Sequence, residues 1–161
     1  MYIEFKDLPD NSRVWIYHST RPFSDHELKK INKKLYTFTN GWKAHGHELR
    51  ASFLIEYNQF IILAVDEKYN DASGCSIDDS VHTIQALENE LGLDLMNKMN
   101  VSFKDGKNIN TVSMQQFKEF VKQNKIKVNT LVFNNMVNSK ADFESLWEVE
   151  AGQSWHARFL K

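Results

Sequence analysis

Residues 60–65, Phe-Ile-Ile-Leu-Ala-Val, form an unbroken apolar run of six, and just before it Ala51, Phe53, Ile55 and Tyr57 alternate with Ser52, Leu54 and Glu56. An apolar run this short reads as a strand covered on both faces, as at the centre of a sheet. Alternation reads as a strand covered mainly on one. Asn58-Gln59 is placed to close the two into a hairpin. Burying that hairpin takes apolar surface from the rest of the chain. A composition 42% hydrophobic, with 11 Phe and 4 Trp, supplies it, and 161 residues are enough to bury about two-thirds of the unfolded surface in one domain.

The partners of the hairpin are marked by serines. Ser24/Glu27, Ser76/Asp79, Ser113/Gln116 and Ser139/Asp142 share the spacing of a capping box, in which the serine accepts from the third helical amide and the acid or amide side chain reaches back. Apolar residues then recur at helical intervals: Leu28, Ile31, Leu35 and Phe38; Ile77, Val81, Ile84, Leu87 and Leu91; Met114, Phe117 and Val121; Phe143, Leu146 and Trp147. Gly41 and Gly92 stand where the first two helices should stop. Further strands are expected at residues 14–18, at 101–104 and 107–112 around Asp105-Gly106, and at 130–133. Through residue 104 the order is strand, helix, strand, strand, helix, strand, the split βαβ order of ferredoxin-like domains. The expected fold is therefore α+β: ferredoxin-like βαββαβ order with a C-terminal β-α-β-α extension and a mixed, mostly antiparallel sheet, in a single domain over residues 1–161. Trp147, Trp155 and Phe159 are expected to dock the tail.

Charge excludes some partners. Lys plus Arg (20) nearly balance Asp plus Glu (21), so there is no overall electrostatic footprint for nucleic acid or an anionic membrane. The longest apolar run is far short of a bilayer span, and Met1-Tyr2-Ile3-Glu4-Phe5-Lys6 lacks signal-peptide order. One cysteine forms no internal disulfide, and a cytoplasmic location is expected.

That cysteine lies in the most suggestive segment, Ser73-Gly74-Cys75-Ser76, after the central strand and beside a helix start. With Ser76 as cap, the free amides of residues 77–79 and the helix dipole favour an anion: a carboxylate, a phosphate or the Cys75 thiolate. Asp66 and Glu67 follow the central strand directly, where open α/β sheets bind ligands. Trp42 offers a wall, and His45 with His47 forms an H-x-H pair, too few ligands for a metal site. Asn134 ends the last strand as a donor and acceptor, or as a turn residue. No phosphate loop, G-x-G-x-x-G, C-x-x-C, H-E-x-x-H or G-x-S-x-G is present, and no metal or cofactor is expected.

Trp42-x-x-His45-Gly46, Asn58-x-Phe60, Asp66-Glu67, Ser73-Gly74-Cys75-Ser76-Ile77-Asp78, Phe133-Asn134-Asn135 and Ser154-Trp155 together resemble a family of small, uncharacterised bacterial proteins commonly labelled "ABC transporter ATPase". The likeness spans nearly the whole length, and none of these motifs is generic. The label requires a glycine-rich phosphate loop with its lysine, a signature segment and a Walker B acid, all missing here, so it reads as a propagated error. The resemblance implies no catalytic assignments. From the residues, the expected function is binding of a small anionic ligand, or an acidic group on a partner, by Ser73, Gly74, Cys75 and Ser76 with Trp42 and Asn134 around them. One alternative is a cysteine-dependent enzyme with Cys75 as nucleophile, His45 as base and Asp66 as orienting acid. The other is an interaction module that engages a protein, a second copy of itself included.

Overall fold

Strand β5 (Phe60–Asp66) is buried at every residue, and the computed structural model, which describes Met1–Lys161, shows what covers each face. Phe60, Ile62 and Ala64 pack with Phe5, Leu8, Val14, Phe133, Phe143 and Trp147. Ile61 and Leu63 point the other way, onto Ile31 and Leu35 of α1 (Asp25–Gly41) and Ile84 and Leu87 of α2 (Gly74–Leu91). Alternate residues of one strand thus serve two cores, which is why its sequence has no polar face.

β5 is the middle of a three-stranded antiparallel sheet, flanked by β1 (Arg13–His18) and β4 (Arg50–Glu56), with Ile16 and Leu54 both opposite Ile62. The small hairpin of β2 (Lys43–Ala44) and β3 (His47–Glu48) links α1 to β4. A second antiparallel sheet, in the order β7 (Asn108–Ser113), β6 (Asn100–Asp105), β8 (Leu131–Phe133), β9 (Glu148–Glu150), packs on the first through Phe133. Its outer residues Val101, Phe103, Val132 and Val149 meet Phe117 of α3 (Met114–Lys122), and Trp155 and Phe159 of the tail join them. The result is helices, sheet, sheet, helix and tail in layers. Helix α4 (Lys140–Leu146) places Phe143 between the sheets. No helix is long and apolar enough to cross a membrane.

The α+β class and the antiparallel pairing follow the sequence, but the ferredoxin-like arrangement does not. That arrangement needs β1 and β6 in one sheet; here β6 opens the second, and the one parallel contact is an isolated Tyr2–Ala51 bridge. Element order alone does not fix which edge a strand joins. The hairpin is also longer than expected: Glu56 pairs with Phe60, leaving Tyr57, Asn58 and Gln59 as the connection.

Ser24, Ser113 and Ser139 cap α1, α3 and α4 by accepting from the third amide of each helix. At α1 the box is reciprocal, and Arg21 forks onto Glu27, holding its carboxyl down at about 2. The expected cap at Ser76 is displaced. Helix α2 begins at Gly74 with Ser73 as cap, and the Ser76 amide donates to the Ser73 hydroxyl at 3.1 Å. Only Ser76 has an acid three residues on, yet Ser73 stands one turn earlier and is equally able to cap. The earlier one caps because the Ser76 hydroxyl donates back to the Ser73 carbonyl and the Ser76 carbonyl accepts from Trp42, which buries Ser76 inside the first turn. Gly92 ends α2 with φ 65°. Gly41 needs no positive φ, since α1 runs straight into β2 through extended Trp42.

Candidate functional site

Beyond β5 the chain crosses to α2 through residues 67–73, and two side chains shape that loop. Glu67 accepts from the Ala72 amide at 2.8 Å and closes it. Asn70 donates to the carbonyls of Ala44 (3.2 Å) and His47 (3.1 Å) and pins it to the β2–β3 hairpin. Between loop and hairpin lies an open cleft of ≈ 380 Å³ walled by His45 and by residues 67–73. His45 and Ser73, expected from sequence, therefore line one cleft. Lys68, Tyr69 and Asn70 join them without any sequence motif to announce them. Tyr69 is 74% exposed, with the Lys68 ammonium 5.2 Å over its ring.

Next to the cleft is the start of α2. Ser73 takes the Ser76 amide, and the Ile77 amide returns to the Ser73 carbonyl, but the amides of Gly74 and Cys75 donate to no group of the chain. They are the first two donors of an 18-residue helix and carry the positive end of its dipole. The Cys75 thiol is exposed beside them. With the cap moved back three residues, the free donors are those of Gly74 and Cys75, not residues 77–79.

The other expected site residues have structural partners. Asp66 is 5% exposed and faces Arg50 in the β4–β5 register; it accepts from Arg50 Nε at 3.3 Å and the Lys68 amide at 3.0 Å. Those bonds leave the orienting acid of a Cys-His-Asp arrangement engaged elsewhere. Trp42 is buried between Trp15 and Phe38, its Nε1 donating to the Ser76 carbonyl at 2.8 Å, so it fastens α2 to α1 and does not line the cleft. A separate groove of ≈ 390 Å³ does include Trp42, with Thr37, Lys43, Asp79 and His82. Asn134 lies in the second sheet's turn, where its side chain accepts from the Met136 amide at 3.1 Å and its own amide donates to the Trp147 carbonyl. His45 takes φ 53° at the hairpin tip, and no group of three or more His, Cys, Asp or Glu is placed to hold a metal ion.

Sequence also hides two polar clusters between the sheets. At the β4–β5 turn, Tyr57 (φ 52°) and Asn58 (φ 51°) take left-handed conformations that cost non-glycine residues energy. The Tyr57 hydroxyl donates to Glu148 and accepts from Lys104 at 3.1 Å, with the Lys104 ammonium 4.7 Å over its ring. The bond to Glu148, with burial, raises the Tyr57 phenol above its ordinary value. Deeper in, His18 is buried against Ser102 and Asn135. No family model, curated protein or solved structure matches the chain.

Proposed function

We propose that the chain binds a small anionic ligand, or an acidic group on a partner, at the start of α2, with the Gly74 and Cys75 amides as donors and Ser73, His45 and Lys68 on the adjoining wall. The observation that carries the reading is the pair of free amides beside an open cleft: an N-terminus capped only by its serine favours negative charge there through dipole and donors together. Glu67 and Asp71 also line the cleft and oppose an anion there, so the Lys68 ammonium and the two amides must outweigh them. A reducing, cytoplasmic setting that keeps Cys75 a thiol belongs to the same proposal.

A single substitution tests it. Gly74→Pro removes one donor while suiting the first helical position, and Ser73 (φ −87°, ψ 168°) already has the extended conformation that a following proline requires. Amide NMR with inorganic phosphate, acetate and succinate should move the Gly74 and Cys75 signals most, and the proline variant should bind roughly tenfold more weakly, the value of one hydrogen bond to a charged group. Shifts scattered over the surface, or unchanged affinity in the variant, would refute the proposal.

A further inference from the structure

The hydrogen bonds around His18 run in one direction only, and the obligatory donor at the Trp147 end fixes it. Gln59 Nε2 donates to the Ser19 carbonyl at 2.9 Å, which orients its amide, and also donates to Thr111 Oγ1 at 3.0 Å. Thr111 then sends its own hydrogen to Ser102 Oγ at 2.8 Å, and Ser102 sends its hydrogen to His18 Nδ1 at 2.8 Å. At the other end the Trp147 indole can only donate, and it does so to Asn135 Oδ1 at 2.9 Å. Asn135 must therefore turn Nδ2 toward His18 Nδ1, 3.3 Å away. Two donors converge on Nδ1, so that nitrogen is a bare acceptor. The hydrogen therefore sits on Nε2.

We infer that His18 is a proton-gated latch between the two sheets: neutral, it ends a hydrogen-bond chain that ties β1 to β6, β7 and the β8–α4 turn, and a solvent proton on Nδ1 turns that acceptor into a donor facing donors. Ser102 must then reverse, dragging Thr111 with it, while Asn135 cannot turn without abandoning Trp147. The β8–α4 turn loses its bond to β1 as the proton arrives, and the link to β6 persists only with the hydroxyls of Ser102 and Thr111 reversed.

The surroundings agree on the direction. Burial lowers the His18 imidazole below its ordinary value, ahead of the opposing Asn97 carbonyl and Asp94 charge. Asp94 is the one charged group acting on the ring. Phe60 of β5, Thr111 of β7 and Asn135 are uncharged; Lys104, on the same face of β6 as Ser102, is held by Tyr57 and Glu148, and Arg21 beyond β1 is held by Glu27. A ring that is neutral in the latched state takes its proton more readily once released, so the latch loosens as pH falls below the free imidazole value.

Long-range ¹H–¹⁵N spectra of the full chain, titrated from about pH 7.5 to about pH 4.5, read the tautomer and its midpoint directly. Expected are a hydrogen on Nε2 at neutral pH, and a Trp147 indole signal and β6 and β8 amide exchange that change with the His18 midpoint, exchange accelerating about tenfold. In His18→Gln that step should vanish while a separate His156 titration persists. Ser102→Ala, which removes one donor to the neutral ring, should raise the His18 midpoint. A hydrogen on Nδ1 at neutral pH, a Trp147 signal that ignores His18, a step that survives in the glutamine variant, or a Ser102→Ala midpoint that stays or falls would each overturn the latch. Should His18→Gln not fold, the wild-type tautomer and the Ser102→Ala midpoint decide.

Discussion

The interface between the two sheets and the cleft at α2 are both rich in polar groups, and they use them in opposite ways. Between the sheets, Ser102, Gln59 and His18 are buried and bonded to one another or to neighbours, inside a ring of Phe60, Phe133 and Trp147. At the cleft, Cys75, His45 and the first two amides of α2 face solvent without partners in the chain. A buried polar group that loses its partner is costly, whereas an exposed one is nearly free to change. Stability should therefore respond to substitution at the interface and binding to substitution at the cleft.

The sharpest blow to stability should come from the apolar centre of the interface. Phe60 is fully buried and stacks near Phe133 (4.7 Å), Trp147 (5.0 Å) and Tyr57. Phe60→Ala should cost about 3–5 kcal/mol in denaturant unfolding. A loss under about 1 kcal/mol would mean that the sheets are not held together there.

Acid should act next. His156 is wholly buried against Phe117, with Nδ1 on the Ser154 hydroxyl and Nε2 without a partner, and burial, with Arg158 adding to it, pushes the imidazole down to about 4. The unfolded ring takes its proton near 6.5, so its contribution to stability is complete above that pH and is lost as pH falls from about 6.5 to about 4, by about 3 kcal/mol in total. His156→Gln does not titrate. Its stability should be flatter than wild type over that window, and an equal slope would place the acid sensitivity elsewhere.

How far each region could be read from sequence follows from the span of its contacts. Ser24, Ser113 and Ser139 announce their helices because a cap and its amide are three residues apart. The same short reach exposed the α2 start but misplaced the cap by three residues, because Ser76/Asp79 has the box spacing while Ser73 caps without a reciprocal acid. The sheet division was not legible: β6 joins β8 through a single Phe103–Val132 pairing, which no local periodicity encodes. Nor was His18, whose partners Ser102 and Asn135 lie 84 and 117 residues away. In the cleft, Cys75 and Gly74 were visible as neighbours of a cap, while Asn70 gains its role only from a hairpin that sequence reads as loop.

The smallest predicted effects test the contrast most finely, because Asp66, His45 and Cys75 looked equivalent in sequence and the fold separates them. Asp66 is buried and joins Arg50 to the start of the cleft loop, so Asp66→Asn should cost about 1–3 kcal/mol by weakening both bonds. Arg50 is about two-fifths exposed and water can take up part of its loss, which sets the lower end of that range as the expected value. His45→Gln and Cys75→Ser remove nothing the fold uses and should each change stability by no more than about 0.5 kcal/mol. Thermal melts of the three single variants measure the split. Equal, large losses in all three would make the cleft part of the scaffold, and a silent Asp66→Asn would return that carboxylate to the set of groups available to a ligand.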